Sequence, residues 1–222
     1  AEDERLREEA QRKEAARQAE AGKQGEAAKQ AEAKIAEERR LAEEAARLDG
    51  DDPMVLTVLG AVYAMTRRWH HASSAIDRAL LMNPNSAWTL QRGAWNSFYN
   101  GRYDEAIDRF RASIRASPLD PLNYNAFFGI GCAFFGKECD EAAVEWLEAA
   151  IATRPSATFV HRVLASALAH MDRIKDARRV ADAFLEAHPG MTVSRVLEAL
   201  PMNARSYTDR FAKGMRKAGI PE

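Results

Sequence analysis

The sequence predicts an all-α chain: an α-solenoid of stacked helix-turn-helix repeats, ended by a C-terminal capping helix. Two observations carry that prediction. Gly60, Ala72 and Pro84 stand twelve residues apart, and the interval recurs at Ala94, Ala106 and Pro118, at Gly131, Ala143 and Pro155, and at Ala165, Ala177 and Pro189. The four prolines are themselves 34, 37 and 34 residues apart. A period in that range belongs to two-helix units that stack on their neighbours, not to one closed core.

Composition narrows the function classes. Lys plus Arg (32) and Asp plus Glu (33) nearly cancel over 222 residues, so the chain as a whole has no nucleic-acid electrostatic footprint. No run of eighteen apolar residues is present, which excludes an ordinary transmembrane helix. No signal peptide is visible, and a start at Ala1 is compatible with a fragment or a processed product. Cys132 and Cys139 have no metal-ligand companions nearby, and a reducing compartment such as the cytoplasm suits them. The periplasm is the alternative if a membrane span precedes the chain.

Residues 1–48 are almost wholly Ala, Glu, Gln, Lys and Arg, with Leu6, Ile35, Leu41 and Leu48 as the large apolar side chains. These are strong helix formers. Gly22 and Gly25 interrupt the run and divide it into two arms. In the second arm Ala31, Ile35, Leu41, Ala45 and Leu48 fall near one helical face. Two readings stay open: a degenerate helical hairpin packed on the first repeat, or a solvated charged helix that serves as linker or coiled coil.

Asp49-Gly50-Asp51-Asp52-Pro53 breaks the chain, with proline suited to a first helical position. Four repeats follow over residues 49–189, at 53–86, 87–123, 124–157 and 158–189. Repeat one carries Leu56, Leu59, Gly60 and Tyr63, then Ala72, Ile76 and Ala79. Repeat two carries Leu90, Ala94, Ala106 and Phe110. Repeat three has Phe127, Ile130, Gly131, Phe134, Ala143, Leu147 and Ala150, and repeat four Leu164, Ala165, Leu168 and Ala177. Small residues let paired helices approach closely, large ones fill the groove between them, and each proline stops a helix. The link from Ser117 to Asn123 is three residues longer than its counterparts and marks the expected irregularity. Residues 190–222 form the cap. Thr192 is suited to start a short helix over Val193–Leu200, and a second runs from Arg205 to Lys217, with Tyr207, Phe211 and Met215 on one face.

These positions match the tetratricopeptide pattern, W-x2-L-G-x2-Y followed by A-x3-F and a closing proline. Ser97 and Leu168 replace the first-helix tyrosine, and Ser113 stands where alanine is usual. The resemblance implies a right-handed superhelix whose first helices line a concave surface. On this chain that surface takes Thr57, Ala61, Ala64 and Met65, then Gln91, Trp95, Phe98 and Tyr99, then Asn125, Phe128 and Cys132, and finally Arg162, Ser166 and His170. Gln91, Trp95, Tyr99, Asn125, Phe128, Arg162 and Ser166 are the candidate partner-binding residues, since aromatics and arginine dominate binding hot spots. The competing reading is that Trp95, Phe98 and Phe128 pack between repeats or beneath the terminal helix. Repeat one offers Thr57 and Ala61 without a basic residue, which argues against the carboxylate-gripping form of the family.

Catalytic chemistry finds no footing. Phosphate-binding glycine loops, H-E-x-x-H and CxxC are all missing. His70 and His71 read as a polar turn between the helices of repeat one, while His161, His170 and His188 are scattered. Asp104-Glu105 and Asp140-Glu141 open second helices, where they complement the helix dipole. No cofactor or metal is expected.

Three phrases, Ser117-Pro118-Leu119-Asp120-Pro121, His188 to Ser194 and Lys217 to Glu222, resemble the C-terminal tetratricopeptide region of bacterial class III adenylate/guanylate cyclase proteins. Related tails follow winged-helix transcription regulators. The resemblance implies a catalytic or DNA-binding domain upstream and a protein- or peptide-binding regulatory role for residues 49–222. The competing expectation is a structural module that self-associates, as a homodimer.

Overall fold

Every second helix of the repeats ends where a proline follows, and the reason is visible in the backbone. Asn83, Ser117, Arg154 and His188 each precede a proline and hold φ between −144° and −132° with ψ between 72° and 87°. The proline ring disfavours helical geometry at the residue before it, so the helix stops there. The computed structural model describes residues 52–222 and, ahead of them, 26, 29–30, 33–34, 36–44, 47 and 50. All regular elements among the described residues are helical.

Four helix pairs result: α1 (Pro53–Met65) with α2 (Trp69–Met82), α3 (Ala87–Tyr99) with α4 (Tyr103–Ala116), α5 (Asn123–Gly136) with α6 (Asp140–Thr153), and α7 (His161–His170) with α8 (Ile174–Ala187). Two tail helices follow, α9 (Val193–Glu198) and α10 (Arg205–Lys217). Each first helix packs most heavily on its own second helix, and each pair then packs on the next. The fold is a TPR-like α-solenoid with a C-terminal capping helix.

The twelve-residue ruler sets these contacts. Ala72, Ala94, Ala106, Ala143, Ala165 and Ala177 are all completely buried. A Cβ on Gly60 would stand 2.6 Å from Ile76 Cγ1, and one on Gly131 2.7 Å from Leu147 Cγ. Side chains larger than hydrogen therefore push the paired helices apart at both places.

The turns inside the four repeats are also alike. Arg67, Gly101, Glu138 and Asp172 each take a positive φ, 61°, 74°, 61° and 58°. The next amide in every case reaches back five residues: Arg68 to the Tyr63 carbonyl, Arg102 to Ser97, Cys139 to Phe134 and Arg173 to Leu168. This is the Schellman ending, which satisfies helix carbonyls that have no partner within the helix.

Some expectations need correction. His70 and His71 lie in the first turn of α2 rather than in the connecting turn, because Thr66 to Arg68 already complete the reversal. The array stays continuous across the long link at residues 117–123, as expected: Asn123 Nδ2 donates to the carbonyls of Ser117 (2.9 Å) and Pro118 (3.1 Å), and α4 packs on α5. A further irregularity, not signalled in the sequence, lies at repeat four, which starts with a 3-10 turn, Thr158–Val160, and has the shortest of the four first helices. Residues 36–44 are helical, with Ala42 buried and Leu41 51% exposed. Gly22 and Gly25, and likewise Ala31, Ile35, Ala45 and Leu48, lie outside the described residues. Glu43 ties the helical segment to repeat one, accepting from Arg68 Nη1 (2.9 Å) and the Tyr63 hydroxyl (3.2 Å).

The tail does more than cover the last pair. α10 packs on α7, where a Cβ on Gly214 would lie 2.9 Å from the Ser166 Cα and carbonyl oxygen. From there the tail extends back across the first helices. Tyr207 sets its ring edge-on to Phe98 (5.0 Å) and Phe135 (5.5 Å). The Asn203 amide donates to the Tyr99 carbonyl (2.9 Å), and Arg67 Nη2 donates to the Leu200 carbonyl (3.1 Å).

Candidate functional site

First-helix register decides which side chains share the face crossed by the tail. Arg92, Trp95 and Tyr99 recur along one side of α3, Asn125, Phe128 and Cys132 along one side of α5, and Arg162 opens the same side of α7. Helix α1 adds Ala61, Ala64 and Met65, the 3-10 turn adds Phe159, and the tail adds Leu200, Tyr207 and Phe211. Together they line a cavity of about 200 Å³.

Aromatic rings hold its walls rigid. Trp95 stacks on Tyr99 with centroids 5.8 Å apart and planes 28° apart. It also meets Phe110 edge-on at 5.2 Å and Phe128 at 5.5 Å. Phe128 in turn meets Phe159 edge-on at 5.2 Å. The indole Nε1 of Trp95 donates to Asn125 Oδ1 at 2.7 Å, fixing both side chains and leaving the Asn125 amide nitrogen as a donor.

The electrostatics are unbalanced. Among the described residues no aspartate or glutamate lines the cavity, yet two guanidinium groups do. The Nε atoms of Arg92 and Arg162 are buried without a hydrogen-bond partner among those residues. Arg92 reaches Gln91 Oε1 at 3.2 Å through Nη2 and lies over the Trp88 ring at 5.7 Å. Burial lowers both arginines from the ordinary guanidinium value, although a guanidinium stays charged in a protein. Burial also pushes the Tyr99 hydroxyl up to about 12, against the pull of Arg92 and Arg162. The Cys132 thiol is likewise pushed up to about 12 by burial, which leaves it a small apolar wall and a poor nucleophile.

Of the residues singled out from sequence, Trp95, Tyr99, Asn125, Phe128 and Arg162 come together here. Gln91 is buried at 6% exposure beside Arg92 and lies outside the cavity, and Ser166 is fully buried under Gly214 of α10. Thr57 is also buried, hydrogen-bonded to Thr89 at 2.8 Å between repeats one and two. His170 is capped by the tail, its Nε2 2.9 Å from the Arg210 carbonyl. Sequence reasoning misses Arg92, although it lies three residues before Trp95 on the same helical face. Phe159 precedes the regular part of α7, and the tail residues carry no repeat register, so neither has a positional signal. Among the described residues, no group of three or more His, Cys, Asp or Glu is placed to hold a metal ion. No helix among them is long and apolar enough to cross a membrane.

Comparison with known proteins agrees on the fold. No family model matches the sequence, and no curated protein matches it. Among solved structures, PilF of Pseudomonas aeruginosa is similar at a TM-score of 0.63 and 18% identity, over 84% of this chain and 81% of that one. MamA of Desulfovibrio magneticus RS-1 gives a TM-score of 0.58 and 24% identity, over 69% and 85%. YrrB, described as a TPR protein with an unusual peptide-binding site, gives 0.54 and 18%, over 80% and 90%.

Proposed function

We propose that the chain is a protein- or peptide-binding scaffold that receives a partner segment on its first-helix face. One observation carries this reading. Met54, Val58 and Met65 are 57%, 40% and 52% exposed and, with Ala61, recur along one side of α1. This apolar stripe runs into the cavity, since Ala61 and Met65 also line it. A stripe at that spacing is suited to an apolar face of a partner helix, and exposed apolar patches of this kind mark interaction sites. The peptide-binding site attributed to YrrB supports the reading by analogy of fold. Trp95, Tyr99, Asn125, Phe128 and Arg162 are assigned to the deep end of the surface, while Gln91 and Ser166 would act only behind it.

The finer reading is that the scaffold is the regulatory or interaction region of a cyclase-type bacterial signalling protein. Two of the phrases that carry that resemblance hold local structure: His188 Nε2 lies 2.9 Å from Thr158 Oγ1 within repeat four, and the Val193 amide donates to the Pro221 carbonyl at 2.7 Å within the tail. The coding sequence next to Ala1 tests it. A cyclase domain in frame supports it, a winged-helix domain transfers the scaffold to a transcription regulator, and neither leaves a free-standing module.

For the partner itself, crosslinking should identify a candidate, and titration of that purified candidate should then decide. Val58→Lys with Met65→Glu is expected to weaken binding at least tenfold while helicity and melting stay unchanged. Binding that survives this double substitution removes the stripe from the account.

A further inference from the structure

We infer that the cavity beneath the tail is a binding site for a small aromatic carboxylate, a single ring bearing one acid group. The proposal stands on the cavity alone and does not require a protein partner on the stripe.

Size sets the first limit. An apolar cavity of about 150 Å³ accepts benzene, so one of about 200 Å³ has room for a ring and a short substituent. Nucleotides and extended peptides do not fit. Shape sets the second. Trp95 and Tyr99 present stacked faces, while Phe128 and Phe159 close the walls at right angles to each other. Flat rings pack against such walls in the offset and edge-on arrangements that aromatic groups prefer.

Charge sets the third limit, and it is the most selective. The cavity contains two guanidinium groups, each with a buried Nε that donates to no described residue. Arg162 has no carboxylate partner among the described residues that line the cavity. A buried donor without an acceptor is destabilising, more so when the group is charged. A carboxylate in the cavity supplies a guanidinium lining it with the acceptor it lacks, because its two oxygens match the guanidinium fork. The Asn125 amide nitrogen and the Tyr99 hydroxyl add neutral donors on the same wall. A cation or a neutral hydrocarbon would leave both arginines as they stand.

The cavity is shared between the repeats, which supply both arginines, and the tail, which supplies Leu200, Tyr207 and Phe211. A bound ligand therefore holds the tail against the repeats, and its binding energy appears as tail stability.

The full chain should be titrated with phenylacetate by calorimetry and tryptophan fluorescence, since Trp95 forms a wall. Phenylacetamide, acetate alone and inorganic phosphate alone are the comparison probes. Saturable one-to-one binding of phenylacetate is expected, with phenylacetamide at least tenfold weaker and neither acetate nor phosphate saturating in the same range. Arg162→Gln should lose at least tenfold in affinity. The acid-against-amide comparison needs no variant and stands even if that one misfolds. Bound phenylacetate should also slow hydrogen exchange at residues 200–211. Equal affinity for acid and amide overturns the proposal, as does the lack of saturation by phenylacetate at millimolar concentration. A peptide ending in phenylalanine that binds where phenylacetate does not would also overturn it.

Discussion

At the scale of single residues, burial of groups that ionise at high pH ties stability to alkalinity. Cys132 rises from an ordinary value of 9.0 up to about 12, and Tyr99 from 10.0 up to about 12, both through burial. Tyr207 moves up in the same sense for the same cause. In each case the folded chain keeps its proton over a window in which the unfolded chain has lost it. Their contribution to stability is therefore complete below pH 9 and is lost as pH rises from 9 to 12. A tenfold difference in proton affinity between folded and unfolded chain is worth about 1.4 kcal/mol. Denaturant midpoints measured across that range should decline, and Cys132→Ala should remove the part that begins near pH 9. A flat profile would mean that these groups reach water in the folded state. The Arg210–Asp140 pair makes a second point. The two side chains are only 13% and 12% exposed and meet at 2.5 Å, with Arg210 over the Phe135 ring at 4.2 Å. Asp140 also starts α6, where its charge is favoured by the helix dipole. Asp140→Asn should therefore destabilise more than Arg210→Met. Its expected cost is about 2–3 kcal/mol, between the exposed and fully buried limits. The reverse order in thermal or urea unfolding would show that the arginine stack on Phe135 carries the contact.

At the scale of elements, the four Schellman turns give a matched set in which only the residue type varies. Gly101 occupies the left-handed position of repeat two, whereas Arg67, Glu138 and Asp172 hold it with side chains at φ near 60°. Left-handed geometry costs a non-glycine residue roughly 1–2 kcal/mol. Glu138 is the cleanest of the three for a test, because its side chain is exposed, while Asp172 pairs with Lys217 at 2.5 Å and Arg67 bonds to the tail. Glu138→Gly is expected to raise stability by about 0.5–1 kcal/mol, the strain relieved less the extra freedom of the unfolded chain. Gly101→Ala should lower it, since its Cβ would also meet Ala204 Cβ at 3.2 Å. Melting temperatures that move together, or opposite to these signs, would place the constraint outside the turn. The same turns show what is legible in sequence. Proline and small-residue spacing reveals the helices and their pairing, because sterics act at fixed intervals along the chain. The turn at Glu138 has no glycine at its left-handed position, and the repeat spacing therefore locates that position only by phase. His70 and His71 read as a turn for the same reason: polar side chains look alike at the end of one helix and the start of the next.

For the whole molecule, the tail decides how far the array behaves as a chain of independent repeats. In a simple solenoid each unit touches only its neighbours, and unfolding can begin at either end. Here the tail, through α10 and the link before it, connects distant units: Arg67 of repeat one to Leu200, Tyr99 of repeat two to Asn203, and Asp172 of repeat four to Lys217. The face is legible in sequence down to Trp95, Tyr99, Asn125, Phe128 and Arg162, because repeat phase places them on one side. Its cover by the terminal helix stands in sequence only as one of two alternatives, because Tyr207 and Phe211 announce an apolar helix without saying which surface receives it. A tight approach lies at Gly214, where backbone atoms of Ser166 leave no room for a side chain. Gly214→Leu is therefore expected to lift α10 from α7 while leaving the four pairs folded. Hydrogen exchange at residues 203–217 should accelerate, and exchange at the cores of α4 and α6 should change far less. Urea unfolding should broaden, since repeats one and two lose their link to repeat four and the transition becomes less cooperative. A transition that stays equally steep, with the tail released, would show that nearest-neighbour packing alone couples the repeats.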